Sequence, residues 1–209
     1  MNLLIVYDDL DSKRGEYFAD SHQDLQHKLK PDVISYCQAL NTKDCLAHTI
    51  DYYTRNFSGK KFIFIAYTHG TDKSIFVSEE NYINESNAYL FNKSLFYACS
   101  CHSAKSLGQV LLDNGCSAFL GFNSSISSCN PEAEAIYQDC ENTFIEQFLN
   151  TDGTIQECLK TMYNKYREME LHLSQNFNLF EASVLSRNLS AFQVLCNDEV
   201  RLFTKINFQ

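Results

Sequence analysis

The run KFIFIAYTHG, residues 61 to 70, is apolar at nearly every position until Thr68. It is too short for a membrane span, and its aromatic and β-branched residues suit a strand. A strand without polar alternation is buried on both faces, so it demands a layer of structure above it and another below. NLLIVYD (2 to 8) and SLFYACSC (94 to 101) share this character, and SAFLGF (117 to 122) adds a fourth run. Helical periodicity fills the gaps. TKDCLAHTIDYYTRNF (42 to 57) puts Leu46, Ile50, Tyr53 and Phe57 on one face, with Asn41 as N-cap. SAKSLGQVLLDNG (103 to 115) does the same with Leu107, Val110 and Leu111, between Ser103 as N-cap and Gly115 as C-cap. KSIFVSEENYI (73 to 83) reads as a small antiparallel insert. The pattern predicts an α/β fold with a mostly parallel central sheet and helices on both faces.

From Pro131 the periodicity becomes helical, in PEAEAIYQDCENTFIEQFL and TIQECLKTMYNKYREMELHL, and EVRLFTKI reads as a last strand. Residues 1 to 209 are expected to form one domain, with a core over 1 to 130 and a mainly helical part over 131 to 209. The formal charge of -9 argues against general attraction to nucleic acid phosphates. No segment approaches eighteen apolar residues, and MNLLIVYDDL lacks the basic flank of a signal peptide, so no membrane partner and a cytoplasmic location are expected. Nine cysteines at irregular spacings do not make a secreted disulfide framework, and most are expected as buried thiols.

In open parallel sheets, reactive groups gather beyond the carboxyl ends of the strands. Two runs end in such groups: His69 after FIFIAYT, and Cys101 after LFYACS. A thiol needs a neighbour of this kind, because the thiolate attacks and a free cysteine is mostly protonated at neutral pH. A helix opening near Ser103 would add its dipole. Gly70 permits close approach of a substrate carbonyl, and the N–H groups of Gly70 and Cys101 form a candidate oxyanion hole. Cys99, Cys101 and His102 also suggest half a metal site, but no second ligand cluster accompanies them. No cofactor is expected.

FIFIAYTHGTD and LFYACSCHSAKSLGQVLLDNGCSAFLGF resemble the histidine and cysteine motifs of caspase-like cysteine peptidases, especially metacaspases and bacterial CHAT-type proteases. The resemblance covers roughly residues 60 to 123, with NLLIVYDDL as the first strand. It implies a caspase-like three-layer sandwich and a His69–Cys101 dyad. CHSA (101 to 104) is similar to the Cys-His-Ser-Gly of metacaspases, which favours Cys101 over the rival alignment through Ala98-Cys99. Two residues back on the strand, Cys99 stands where metacaspases carry an aspartate for a basic substrate side chain. That departure leaves Asp8, Asp9 or Asp72 as substitute pocket carboxylates, and a neutral or apolar preference equally open. His102 is expected to point away from the cleft.

The function so implied is a cysteine endopeptidase acting on a protein or peptide substrate. By the same resemblance it is a latent effector of bacterial antiphage defence or cell death, triggered by a partner protein or a nucleotide signal. NSSISSCNPE (123 to 132) is a candidate ordering loop or self-cleavage segment. Two rivals stand beside it. One is a non-catalytic caspase-fold module that binds a signalling molecule or scaffolds an assembly. The other is a different α/β hydrolase or a flavodoxin-like nucleotide-binding protein using Asp8 and Asp9 as phosphoryl or metal groups, against which the missing glycine-rich phosphate loop counts.

Overall fold

A computed structural model describes residues 1–209 apart from 31, 33, 58, 59, 79, 128, 129, 197 and 209. In chain order the elements are β1 (Asn2–Tyr7), α1 (Gly15–Lys28), β2 (Tyr36–Leu40), α2 (Ala47–Asn56), β3 (Phe62–Tyr67), β4 (His69–Gly70), β5 (Ser74–Val77) and β6 (Glu80–Asn84). They continue as β7 (Leu95–Cys99), α3 (Leu107–Asp113), β8 (Ala118–Phe122), α4 (Glu134–Asn150), α5 (Ile155–Gln175), α6 (Leu179–Ala191), β9 (Phe192–Leu195) and α7 (Asp198–Arg201). The main sheet runs β2-β1-β3-β7-β8-β9, parallel throughout except for β9, which pairs antiparallel with β8. The insert is a small antiparallel sheet, β4-β5-β6, as its sequence suggested.

All six residues of β3 are buried, because the two faces of the sheet are covered by different elements. On one face Ile63, Ile65, Tyr67, Leu95, Tyr97 and Cys99 join side chains from α1, α4, α5 and α6. On the other, Phe62, Phe64, Ala66, Phe96 and Ala98 meet Ile50 of α2, Leu107 and Leu111 of α3, and the apolar side of the insert. Each fully buried large side chain contributes roughly 1.5–3 kcal/mol. Five such side chains in a row of six therefore fix β3 at the centre of the sheet.

Several expected boundaries are corrected. α2 begins at Ala47, not near residue 42. Asn41 closes a turn instead, its carbonyl accepting from Asp44 and Cys45 and its side chain from Lys43. α3 begins at Leu107 rather than at Ser103, whose hydroxyl donates to the Ser100 carbonyl at 2.9 Å. The first amides of α3, from Ser106 and Leu107, donate to the Asp72 carbonyl, so this helix does not aim its dipole at Cys101. Gly115 does close α3 as expected, at φ +92. EVRLFTKI is no strand. It folds as α7 and a 3-10 turn, Lys205–Phe208, while the last strand, β9, follows directly on α6. Among the described residues no helix is long and apolar enough to cross a membrane.

The helical part after residue 131 is bound to the amino-terminal part by polar contacts as well as packing. Lys28 Nζ lies 2.5 Å from Asp139 Oδ1, and Asn142 donates to the Ser21 carbonyl at 2.8 Å. The Tyr67 hydroxyl donates to Asn142 Oδ1 at 2.6 Å, which ties β3 to α4.

Candidate functional site

β3 and β7 are parallel neighbours, and their last registered pair is Tyr67 with Cys99. Two residues further along each strand come His69 and Cys101, so the carboxyl rim of the sheet carries both. They line one cavity of about 130 Å³. The two chain segments are pressed together there. A Cβ on Gly70 would stand 2.7 Å from the Cys101 carbonyl oxygen and 2.9 Å from Ser100 Cβ, a space only glycine leaves free. Below them the Thr68 and Ser100 hydroxyls lie 3.3 Å apart, a second link between the two strand ends.

The His69 ring is held on three sides. Phe18 of α1 meets it edge-on, with centroids 5.2 Å apart, and Phe76 of β5 stacks on it at 5.6 Å. Nε2 lies 3.2 Å from Asp11 Oδ2. Burial would raise the Asp11 carboxyl, but amide hydrogen bonds from Lys13 and Arg14, with His69 beside them, bring it below the usual range. Nδ1 has no protein partner among the described residues. Asp11 therefore keeps a negative charge against the imidazole and leaves one ring nitrogen free for a reacting proton.

The Cys101 thiol is bracketed by Ile126, accepting from its amide at 3.4 Å and donating to its carbonyl at 3.9 Å. Burial pushes this thiol up, while the Ile126 amide and Arg14 pull it back. No hydrogen bond joins His69 to Cys101 among the described residues. The Cys101 N–H, one expected oxyanion donor, gives its proton to no other residue there. Gly70 lies beside Cys101 but off the cavity wall.

The remaining expected residues separate clearly. Cys99 lines the same cavity, yet it is 1% exposed, and burial followed by the charge of Glu141 drives its thiol well up. Of the two thiols, Cys101 is the accessible one. Asp8 is buried outside the cavity, accepting from Thr42 Oγ1 at 2.8 Å and from the Ser78 amide. Asp9 accepts from the Thr42 amide. Asp72 is exposed and uses its carbonyl on α3. None of the three carboxylates lines the cavity that holds Cys101, although Asp8 lines a neighbouring one with Asp11, Arg14 and His69. His102 takes a left-handed backbone, φ 59, and turns to Ser125 Oγ at 3.0 Å. Among the described residues no three His, Cys, Asp or Glu side chains are placed to hold a metal ion. Of the 123 to 132 segment, residues 128 and 129 lie outside the described residues, and Ile126 and Ser127 form part of the cavity wall.

Two functional candidates escaped the sequence reading. Asp11 lies in the acidic run DDLD just beyond β1, a position on the same rim as His69. Glu141 is the carboxylate that does line the cavity, and it is 2% exposed. Its signal was present in the sequence. Tyr137, Glu141, Phe144, Ile145 and Phe148 fall on one helical stripe, and a charge in the middle of an apolar stripe is uncommon.

Neither a protein-family model nor a curated protein matches this sequence.

Proposed function

We propose that the protein is a caspase-like cysteine endopeptidase, with Cys101 as nucleophile and His69 as its acid–base partner. The observation that carries this reading is the shared cavity: a thiol and an imidazole from adjacent parallel strands, beyond the same sheet edge. The thiol proton passes to His69, and the sulfur adds to the peptide carbonyl. The Cys101 N–H steadies the oxyanion. His69 then protonates the leaving amine, and water hydrolyses the thioester.

The resting geometry fits a latent enzyme. The thiol is engaged by Ile126, the imidazole by Asp11, and the two must approach for reaction. An effector role in bacterial defence or cell death, set off by a partner protein or a nucleotide signal, accords with that resting state and with the motif resemblance. The Ile126 bracket also supports the second reading, a caspase-fold module without catalysis, in which the thiol never leaves its backbone partners.

Peptidyl electrophiles followed by mass spectrometric mapping separate the two. Labelling is expected at Cys101, and His69→Ala is expected to lower its rate by about 100-fold or more. Equal labelling of Cys101 with and without His69, or labelling of Cys99 alone, would remove the dyad. Asp11→Asn is expected to slow labelling by at most about tenfold, because the pair is partly exposed and screened by solvent. A thousandfold loss would instead make Asp11 an indispensable part of the reacting group.

A further inference from the structure

We propose that Asn188 of α6 is a positioning residue for Cys101: it pins Ser127, so that the neighbouring Ile126 amide stays donated to the sulfur, and through that bond it sets the acidity of the thiol. The inference concerns the thiol itself and goes beyond the peptidase reading.

Asn188 is out of character with its surroundings. It is 1% exposed and shares the buried side of α6 with Val184, Leu185 and Ala191. A primary amide in such a place costs stability unless its polar atoms are satisfied, and asparagine is a weak helix former. Both of its polar atoms serve one residue. Oδ1 accepts from the Ser127 amide at 3.2 Å, and Nδ2 donates to the Ser127 carbonyl at 2.8 Å. Two bonds to one backbone unit fix its orientation as well as its place. Arg187 adds only a contact from outside, Nη2 to the Ser127 hydroxyl at 3.0 Å.

The chain between β8 and Ser127 hangs from two anchors. On the near side, the Asn123 amide donates to the Ala191 carbonyl, the His102 amide donates to the Ser124 carbonyl, and Ser125 Oγ meets His102 Nε2. On the far side, Ser127 is held by Asn188. Ile126 lies between them, and its backbone has one hydrogen-bond partner among the described residues, the Cys101 sulfur. An N–H aimed at sulfur favours the thiolate, because donation to a charged acceptor is the stronger bond. Burial pushes the Cys101 thiol up, and the Ile126 amide is the first influence that draws it back. Without Asn188, Ile126 is held from one side only.

The other charged and titratable groups that face the sulfur come from different elements: Arg14 and Tyr17 of α1, His69 of β4, Cys99 of β7 and Glu141 of α4. Asp11 stands behind His69, and His102 turns away to Ser125. None of these touches Asn188, so a change at Asn188 reaches the thiol through Ile126.

The test alkylates the whole chain with iodoacetamide from about pH 6 to 11, with Cys101 followed by mass spectrometry. In Asn188→Ala, and in Asn188→Leu, which fills the same space without hydrogen-bonding groups, the midpoint of the Cys101 profile should rise by about one pH unit. Below both midpoints the rate should fall by about threefold, since a more basic thiolate partly offsets its lower population. The shift should persist in a His69→Ala background, and Arg187→Ala should leave the midpoint where the wild type has it. In the wild type, the Ile126 amide proton resonance should move as the thiol titrates. An unchanged midpoint in a folded Asn188 variant overturns the inference. So does an Ile126 amide blind to the titration, a reading that requires no variant to fold. A shift lost in the His69→Ala background, or matched by Arg187→Ala, removes Asn188 as the positioning group. Peptidyl electrophiles that fail to label Cys101, with the Asn188 shift intact, sink the peptidase and leave this inference standing.

Discussion

Gly70→Ala is expected to slow labelling of Cys101 by about 100-fold in a chain that still folds. The added methyl group would stand 2.7 Å from the Cys101 carbonyl oxygen and 2.9 Å from Ser100 Cβ, and the closest of these is backbone, unable to swing aside. Either the histidine segment or the cysteine segment must shift by a sizeable fraction of an ångström. Misplacement on that scale between reacting groups is worth about two orders of magnitude in rate. Overpacking at one point costs about 1–3 kcal/mol, a fraction of a domain's stability. The measurements are the labelling rate with a peptidyl electrophile and a urea midpoint. Normal labelling by a folded Gly70→Ala chain would mean that the contact between the segments does not govern the reacting distance.

The second large effect is on stability. Glu141→Gln is expected to stabilise the protein at pH 8 by about 3 kcal/mol and to be nearly neutral at pH 4.5. Burial raises the Glu141 carboxyl to about 7, with the Tyr17 hydroxyl and Arg14 pulling it only partly back. The unfolded chain releases this proton near the ordinary carboxylate value of about 4.3. Between those two values the folded state holds a proton that the unfolded state has lost, so stability falls as pH rises, by about 1.4 kcal/mol per unit. Above pH 7 the full penalty is in place. Glutamine has no charge to bury and removes it. The difference between wild-type and variant urea midpoints, followed from pH 4.5 to 8, isolates this group from all other titrations. A difference that does not change with pH would show that the carboxyl titrates normally in the folded chain.

What the sequence revealed and what it hid have physical causes. The central strands were legible because burial on both faces leaves a continuous apolar run that no surface element tolerates. The edge strand β2, YCQAL, is half-exposed and mixed in character, and it carried no such mark. β9 was masked because four residues, FQVL, continue directly from α6 and pair with β8 alone. EVRLFTKI has strand composition, but the place beside β8 is taken by β9, and it coils into α7 and a 3-10 turn instead. The placement of His69 and Cys101 on one rim was legible because strand ends order themselves along it. Cys99 could be placed beside Cys101 by counting. The carboxylate of the cavity could not be reached from the same motifs, since α4 lies about forty residues beyond Cys101 and only packing brings it there. The dipole expected from a helix at Ser103 failed for a local reason: residues 101 to 106 turn before α3 starts, and Asp72 caps that helix.

The cavity floor, supplied by α4, also fixes when the site comes into being. Tyr17 and Phe18 leave the ribosome before Cys101, and Glu141 leaves after it. Domains settle as units once their last packing partners have emerged, so a nascent chain ending at residue 130 holds sulfur and imidazole with nothing beneath them. Order of synthesis thus acts as a timer, since a half-made polypeptide lacks the floor of the cavity.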